Sequence, residues 1–322
     1  MNRGAALGGA LLVTLASPAT WPLALAAFLL RGGLLVVALP ILVLPTPVGL
    51  GNLLAPTLTA FVFGRVTVEL VALVAAIVAA ALAWLVAGGI LAAVLEAEAA
   101  RIVATDEDVA LAAGLGTHPL GVDEVPAALN TRVALRRWTE ATRVFLVRAV
   151  AHLPLAVSLA WGTARLVAVT YLELTNPGDV TTPLVRRVLL ASPEVVVAIV
   201  ATWMVGQALG ALAARRVVLA RGGILRALGD ASLMLVRRPL VVLADFWLPT
   251  LALGLVLAPS AIAAASAGDV VREAMDTSRD PLEILLAVVL FVSLWVVGLV
   301  LASVICAWRA AVWTVGFGEP SR

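Results

Sequence analysis

No lysine occurs among the 322 residues; all 22 basic side chains are arginine. With abundant Ala, Val and Leu, one Tyr and few Asn, that bias reads as a GC-rich, prokaryotic coding sequence and carries no chemistry of its own. There is one cysteine, Cys306, so an internal disulfide is excluded; in the middle of an apolar run it reads as a small packing residue. The two histidines, His118 and His152, stand far apart, and neither HExxH nor HxxEH occurs. A P-loop, a G-x-S-x-G nucleophile elbow and a dinucleotide-binding glycine pattern are also missing. Charge is scarce, at 13% of residues against about 25% in soluble domains. The reading therefore expects no catalytic centre, no metal and no cofactor. The 22 arginines are nearly balanced by 20 acids, and no basic tract carries interleaved aromatics, so nucleic acid is not an expected partner.

Hydrophobic residues make up 62% of the chain and the mean hydropathy is +1.09. Both depart from soluble composition in the direction of an integral membrane protein. The longest uncharged stretch of the C-terminal half, 284–308, lies between Glu283 and Arg309. As a helix at about 1.5 Å per residue it reaches roughly 37 Å, enough to cross a hydrocarbon core of about 30 Å. Long apolar runs separated by arginine clusters fit helices; barrel strands would alternate every second residue. The fold class expected is all-α, a polytopic transmembrane bundle forming one membrane domain over 1–322.

Six spans are placed at about 22–44, 66–95, 145–171, 188–214, 239–262 and 284–308. Residues 1–20 have the look of a secretory leader, with one Arg and a small-residue site near Ala16 to Ala19. Pro18 and the hydrophobic run from Trp21 make an uncleaved N-terminal segment the expectation. Pro45, Pro47 and Pro56 suit a turn or interfacial segment, and an eight-span arrangement with extra spans before Glu69 is the alternative. The segment 96–143 is the longest polar piece, carrying Glu96, Glu98, Asp106, Glu107, Asp108, Asp123 and Glu124; it reads as a solvated loop without EF-hand spacing. With six spans, Arg3, the six arginines of 101–148, the six of 215–238, Arg309 and Arg322 share one side. Arg65, Arg186, Arg187, Arg272 and Arg279 share the other. That asymmetry places both termini in the cytoplasm of a multi-pass cell-membrane protein, with anionic lipid headgroups at the Arg-rich loops.

Helices two, four and six share an aromatic followed by small residues at every fourth position: Trp84, Gly88, Ala92; Trp203, Gly206, Gly210; Trp295, Gly298, Ala302, Cys306. A spacing of four puts small residues on one helix face, where backbones approach closely. Pro22-Leu23, Pro154-Leu155 and Pro239-Leu240 mark the odd helices, so the chain reads as three weakly repeated hairpins with the even helices inside. Charges within spans, Arg31, Arg165 and Asp245, each cost about 2.5–3.5 kcal/mol near the centre and need a partner or an interface. Asp245 is the carboxylate that Arg165 or Arg31 would meet, and Gln207 is a further interhelical hydrogen-bond candidate.

In the run 224–240, an amphipathic segment ends in Arg237-Arg238-Pro239 and enters a span. Here the chain resembles uncharacterised prokaryotic six-helix membrane families, including those similar to the membrane domain attached to some glycerophosphoryl diester phosphodiesterases. The resemblance implies a membrane bundle without site residues to carry over; the soluble catalytic domain of those enzymes has no counterpart here. The expectation is a non-catalytic accessory or scaffold subunit of a membrane assembly. The alternative is a transporter or permease component using Arg31, Arg165 and Asp245.

Overall fold

The computed structural model describes residues 3–38, 67–105, 131–176, 182–277 and 280–317. The proline stretch at 45–56, most of the acidic segment (Asp106 to Glu124) and the turn residues 177–179 lie outside them. Among the described residues the protein is all-helical. In chain order the helices are α1 (Arg3–Ala16), α2 (Thr20–Phe28), α3 (Leu34–Ala38), α4 (Val68–Ala104), α5 (Thr131–Ala151), α6 (Leu153–Thr175), α7 (Leu184–Ala191), α8 (Pro193–Leu219), α9 (Ile224–Arg237), α10 (Pro239–Thr277) and α11 (Pro281–Phe317). A wide π-type turn, Leu29–Gly33, joins α2 to α3. Among the described residues, six helical stretches are long and apolar enough to cross a membrane: Thr20–Ala38, Val68–Ala104, Leu153–Thr175, Pro193–Leu219, Pro239–Thr277 and Pro281–Val315.

Several boundaries differ from those set by charge alone. The helix placed at 66–95 continues to Ala104, because the acids after Leu95 sit among alanines, and Ala97, Ala100, Val103 and Ala104 are buried. The segment 96–143 is thus helical at both ends, to Ala104 and again from Thr131. The helix placed at 145–171 is two helices, α5 and α6, divided at His152 ahead of Pro154. Pro154 has no N–H, fits the first turn of α6 and forbids an unbroken α5. α10 runs fifteen residues beyond 262 and α11 nine beyond 308.

Contacts group the chain into two compact units. The first takes Met1–Ala16, Ala97–Thr250 and Arg309–Arg322. Its centre is the C-terminal half of α8, where Ala208, Gly210 to Arg215 and Val217 to Leu219 are all buried. α5 and α6 run antiparallel to α8, and α9 packs against both α8 and α5. Burying each Val or Leu here contributes roughly 1.5–3 kcal/mol relative to leaving it exposed.

The second unit takes Ser17–Glu96 and Leu251–Trp308. Ala24, Leu253, Ala302, Cys306 and Ala307 form its small-residue core, with Trp21, Leu25, Phe28, Leu257 and Ile305 around it. The long helices elsewhere carry many exposed Leu, Val and Ile side chains, such as Leu73, Ile77, Leu286 and Val289. In water such a surface would aggregate; against acyl chains it is the expected exterior.

Candidate functional site

The chemistry-bearing side chains lie within helices, so their partners decide what they do. Arg31 sits in the π-type turn, where Gly32 has φ +103° and Arg31 itself leaves helical geometry. Only glycine takes that φ without strain, and the break aims Arg31 away from the α2 register. Its guanidinium forms an ion pair with Glu96 on α4, whose side chain is 6% exposed. The charge that composition marked as costly is therefore matched inside the second unit.

Arg165 does not meet Asp245. Its Nε donates to Glu194 Oε1 at 3.2 Å. The reason is register. A side chain on Gly210 would touch Arg148, one on Gly206 would touch Ala151 and His152, and one on Gly162 would touch Val195. These three contacts fix an antiparallel alignment of α5 and α6 with α8, and it brings Arg165 opposite Glu194. Both partners are near half exposed, at 47% and 44%. We expect Arg165→Glu to lower the unfolding temperature in micelles, and Arg165→Glu combined with Glu194→Arg to recover most of the loss. A double variant no better than the single would show that the pair is not coupled.

Asp245 is buried six residues into α10, beside Phe246, which meets the Trp203 ring edge-on at 5.5 Å. Gln207 on α8 accepts a hydrogen bond from Arg309 Nη2 at 3.4 Å, so the interhelical bond expected of it is formed with α11. About two turns further along α8, Arg215 is 1% exposed; its Nε donates to Thr314 Oγ1 at 3.2 Å and its Nη2 to the Ala310 carbonyl at 3.3 Å. Four charges join α4 to α5: Arg101 reaches Glu98 and Glu140, each at 2.7 Å, and Arg137 reaches Glu98 at 3.3 Å.

Gly88, Ala92, Gly206, Gly210, Gly298, Ala302 and Cys306 are all buried. A Cβ on Gly88 would lie 3.3 Å from the Leu30 carbonyl, and one on Gly298 would lie 2.8 Å from Ser260 Cβ. The tryptophans that precede them do not share one environment, which corrects the inward placement expected for all three. Trp84 is 49% exposed, Trp203 meets Phe246 edge-on, and Trp295 Nε1 donates to the Val37 carbonyl at 3.3 Å. A Trp is too large for the close face that glycine and alanine permit, so each leaves it differently. A groove of about 30 Å³ between α3, α10 and α11, lined by Val36, Leu257, Ala264, Trp295 and Leu299, has room for a water-sized body and little more. Among the described residues, no three His, Cys, Asp or Glu side chains come together as metal ligands.

Glu96 and Arg215 are the residues that sequence reasoning placed elsewhere, as a loop acid and as an orientation charge. A signal for Glu96 exists: Gly88, Ala92 and Glu96 are spaced by four, so the acid continues the close-packed face of α4. No comparable spacing singles out Arg215. The chain matches no protein-family model, no curated protein and no solved structure.

Proposed function

We propose that the protein is a non-catalytic accessory or scaffold subunit of a prokaryotic membrane assembly, multi-pass in the cell membrane with both termini cytoplasmic. The observation that carries this reading is the internal pairing of its costly charges. Arg31 with Glu96 and Arg165 with Glu194 are satisfied within the chain, and Gln207, Arg215 and Thr314 serve contacts between α8 and α11. A transport site would instead hold polar groups open to a solute beside a cavity of substrate size. The arginine asymmetry supports the orientation, and the Arg-rich stretch 132–148 supports attraction to anionic headgroups.

Native gels of mildly solubilised membranes test the reading. We expect a complex clearly larger than the 33.2 kDa chain in its micelle. Asp245→Asn is expected to lower stability or assembly. A monomer on the gel, with solute uptake abolished by a well-folded Asp245→Asn variant, would select the transporter instead.

A further inference from the structure

We propose that the half-exposed Arg165–Glu194 pair marks the contact face for a second copy of this chain, in a two-fold dimer within the membrane. Depth comes first. At about 1.5 Å per residue, Arg165 lies roughly 18 Å from the Leu153 end of α6 and roughly 15 Å from the Thr175 end. That is farther than the stem of one arginine carries its head. Glu194 opens α8, but the antiparallel alignment does not stop there. Gly210 faces Arg148, Gly206 faces His152, Val195 faces Gly162 and Glu194 faces Arg165; beyond the break at Ser192, Arg187 on α7 stands 3.1 Å from the Glu173 carboxylate. Each step forward along α5 and α6 is answered by a step back along α8 and α7. α7 and α8 are two halves of one interrupted span, and the ion pair sits at the interruption, well inside α6. Acyl chains offer no dipole or hydrogen bond to charges in the middle of a span, so a half-exposed pair there calls for polar company.

The pair is complementary to its own copy. One cation and one anion side by side match themselves under a two-fold axis, which sets each Arg165 against the partner's Glu194. Two copies inserted the same way are related by an axis along the bilayer normal, and such an axis joins only groups at one depth. Arg165 Nε and Glu194 Oε1 are 3.2 Å apart, so they meet that condition. The surface around them fits a helix seam. Trp161, Arg165 and Ala168 on α6, and Glu194, Val197 and Ala201 on α8, are exposed and follow one another at spacings of three and four. Ala168 and Ala201 are small enough to let a second pair of helices approach. A different subunit would need two opposite charges of its own at this depth, whereas a second copy brings them by symmetry.

The test expresses two differently tagged copies of the full-length chain in one membrane and measures their co-purification in mild detergent. Arg165→Glu in both copies, or Glu194→Arg in both, is expected to lower recovery about tenfold or more. Arg165→Glu in one copy with Glu194→Arg in the other should restore it, because the mixed dimer regains both pairs between chains while neither chain regains its own. A second measurement leaves the charges intact: Trp161→Cys in one copy and Val197→Cys in the other, with Cys306→Ser in both, should give a disulfide-linked dimer on oxidation in the membrane. No co-purification of unaltered copies, recovery indifferent to the charge reversals, no rescue in the mixed pair, or no disulfide-linked dimer would each overturn the proposal. The inference goes beyond the accessory reading, and the two fail separately. A complex of two copies and nothing else supports the dimer and removes the assembly; a larger complex whose copies do not associate removes the dimer and keeps the assembly.

Discussion

Glu96→Gln is expected to lower the free energy of unfolding by about 3 kcal/mol, the largest effect of any single polar change among the described residues of the second unit. Glutamine keeps the size and one acceptor oxygen of glutamate but removes the charge that balances Arg31. Removing one member of a buried pair costs about 3–5 kcal/mol, because the other charge stays behind in a medium that solvates it poorly. Glu96 is 6% exposed and Arg31 28%, which puts the loss at the lower end of that range. Arg31→Met combined with Glu96→Met should fall within about 1–2 kcal/mol of the unaltered protein, since two apolar side chains of similar length leave no charge behind. The coupling from the double-mutant cycle, read by reversible unfolding in micelles or bicelles, is then well above the few tenths that independent sites show. Additive single effects would mean that the two side chains are stabilised separately. The cycle also bears on mechanism: a transport site would lose uptake in the stable double variant, whereas a structural pair leaves assembly intact.

The fold class was legible because it depends on quantities a sequence carries directly, the length and apolarity of its runs. The ends of those runs were less so. Charge marks where a helix leaves hydrocarbon, not where it stops being a helix, so α4, α10 and α11 continue past the acids and arginines that seemed to bound them. The small-residue faces were legible from a spacing of four. Partner choice was not. Whether Arg165 meets Asp245 or Glu194 depends on the antiparallel register of α6 and α8, set by the contacts of Gly206 and Gly162 across distant parts of the chain. Glu96 lay between these cases. Its spacing from Gly88 and Ala92 pointed inward, while its acidic neighbours pointed to a loop, and burial among alanines decided the outcome.

Gly206→Ala tests that register with the smallest change available. Its added carbon would stand 3.0 Å from the Ala151 carbonyl oxygen and 3.1 Å from the His152 ring. Neither neighbour is free to give way. Ala151 is backbone at the α5–α6 break, and His152 Nδ1 is hydrogen-bonded to the Arg148 carbonyl at 2.7 Å. α8 must therefore move off α6, loosening Gly210 from Arg148 and the Arg165–Glu194 pair along the same interface. Overpacking of this kind costs about 1–3 kcal/mol, and Gly206→Leu should exceed it. Gly254→Ala on α10 is the matched control: that glycine is exposed, and a Cβ there meets nothing within 4 Å. Alanine stiffens an open helical position and is worth up to about 1 kcal/mol over glycine. The two replacements are chemically identical, so helix propensity pushes both toward higher stability, and only the contact with Ala151 and His152 can reverse the sign. An unfolding temperature lowered for Gly206→Ala and unchanged or raised for Gly254→Ala supports the close face. The same small shift in both would leave propensity as the only effect and α8 free of the α5–α6 junction.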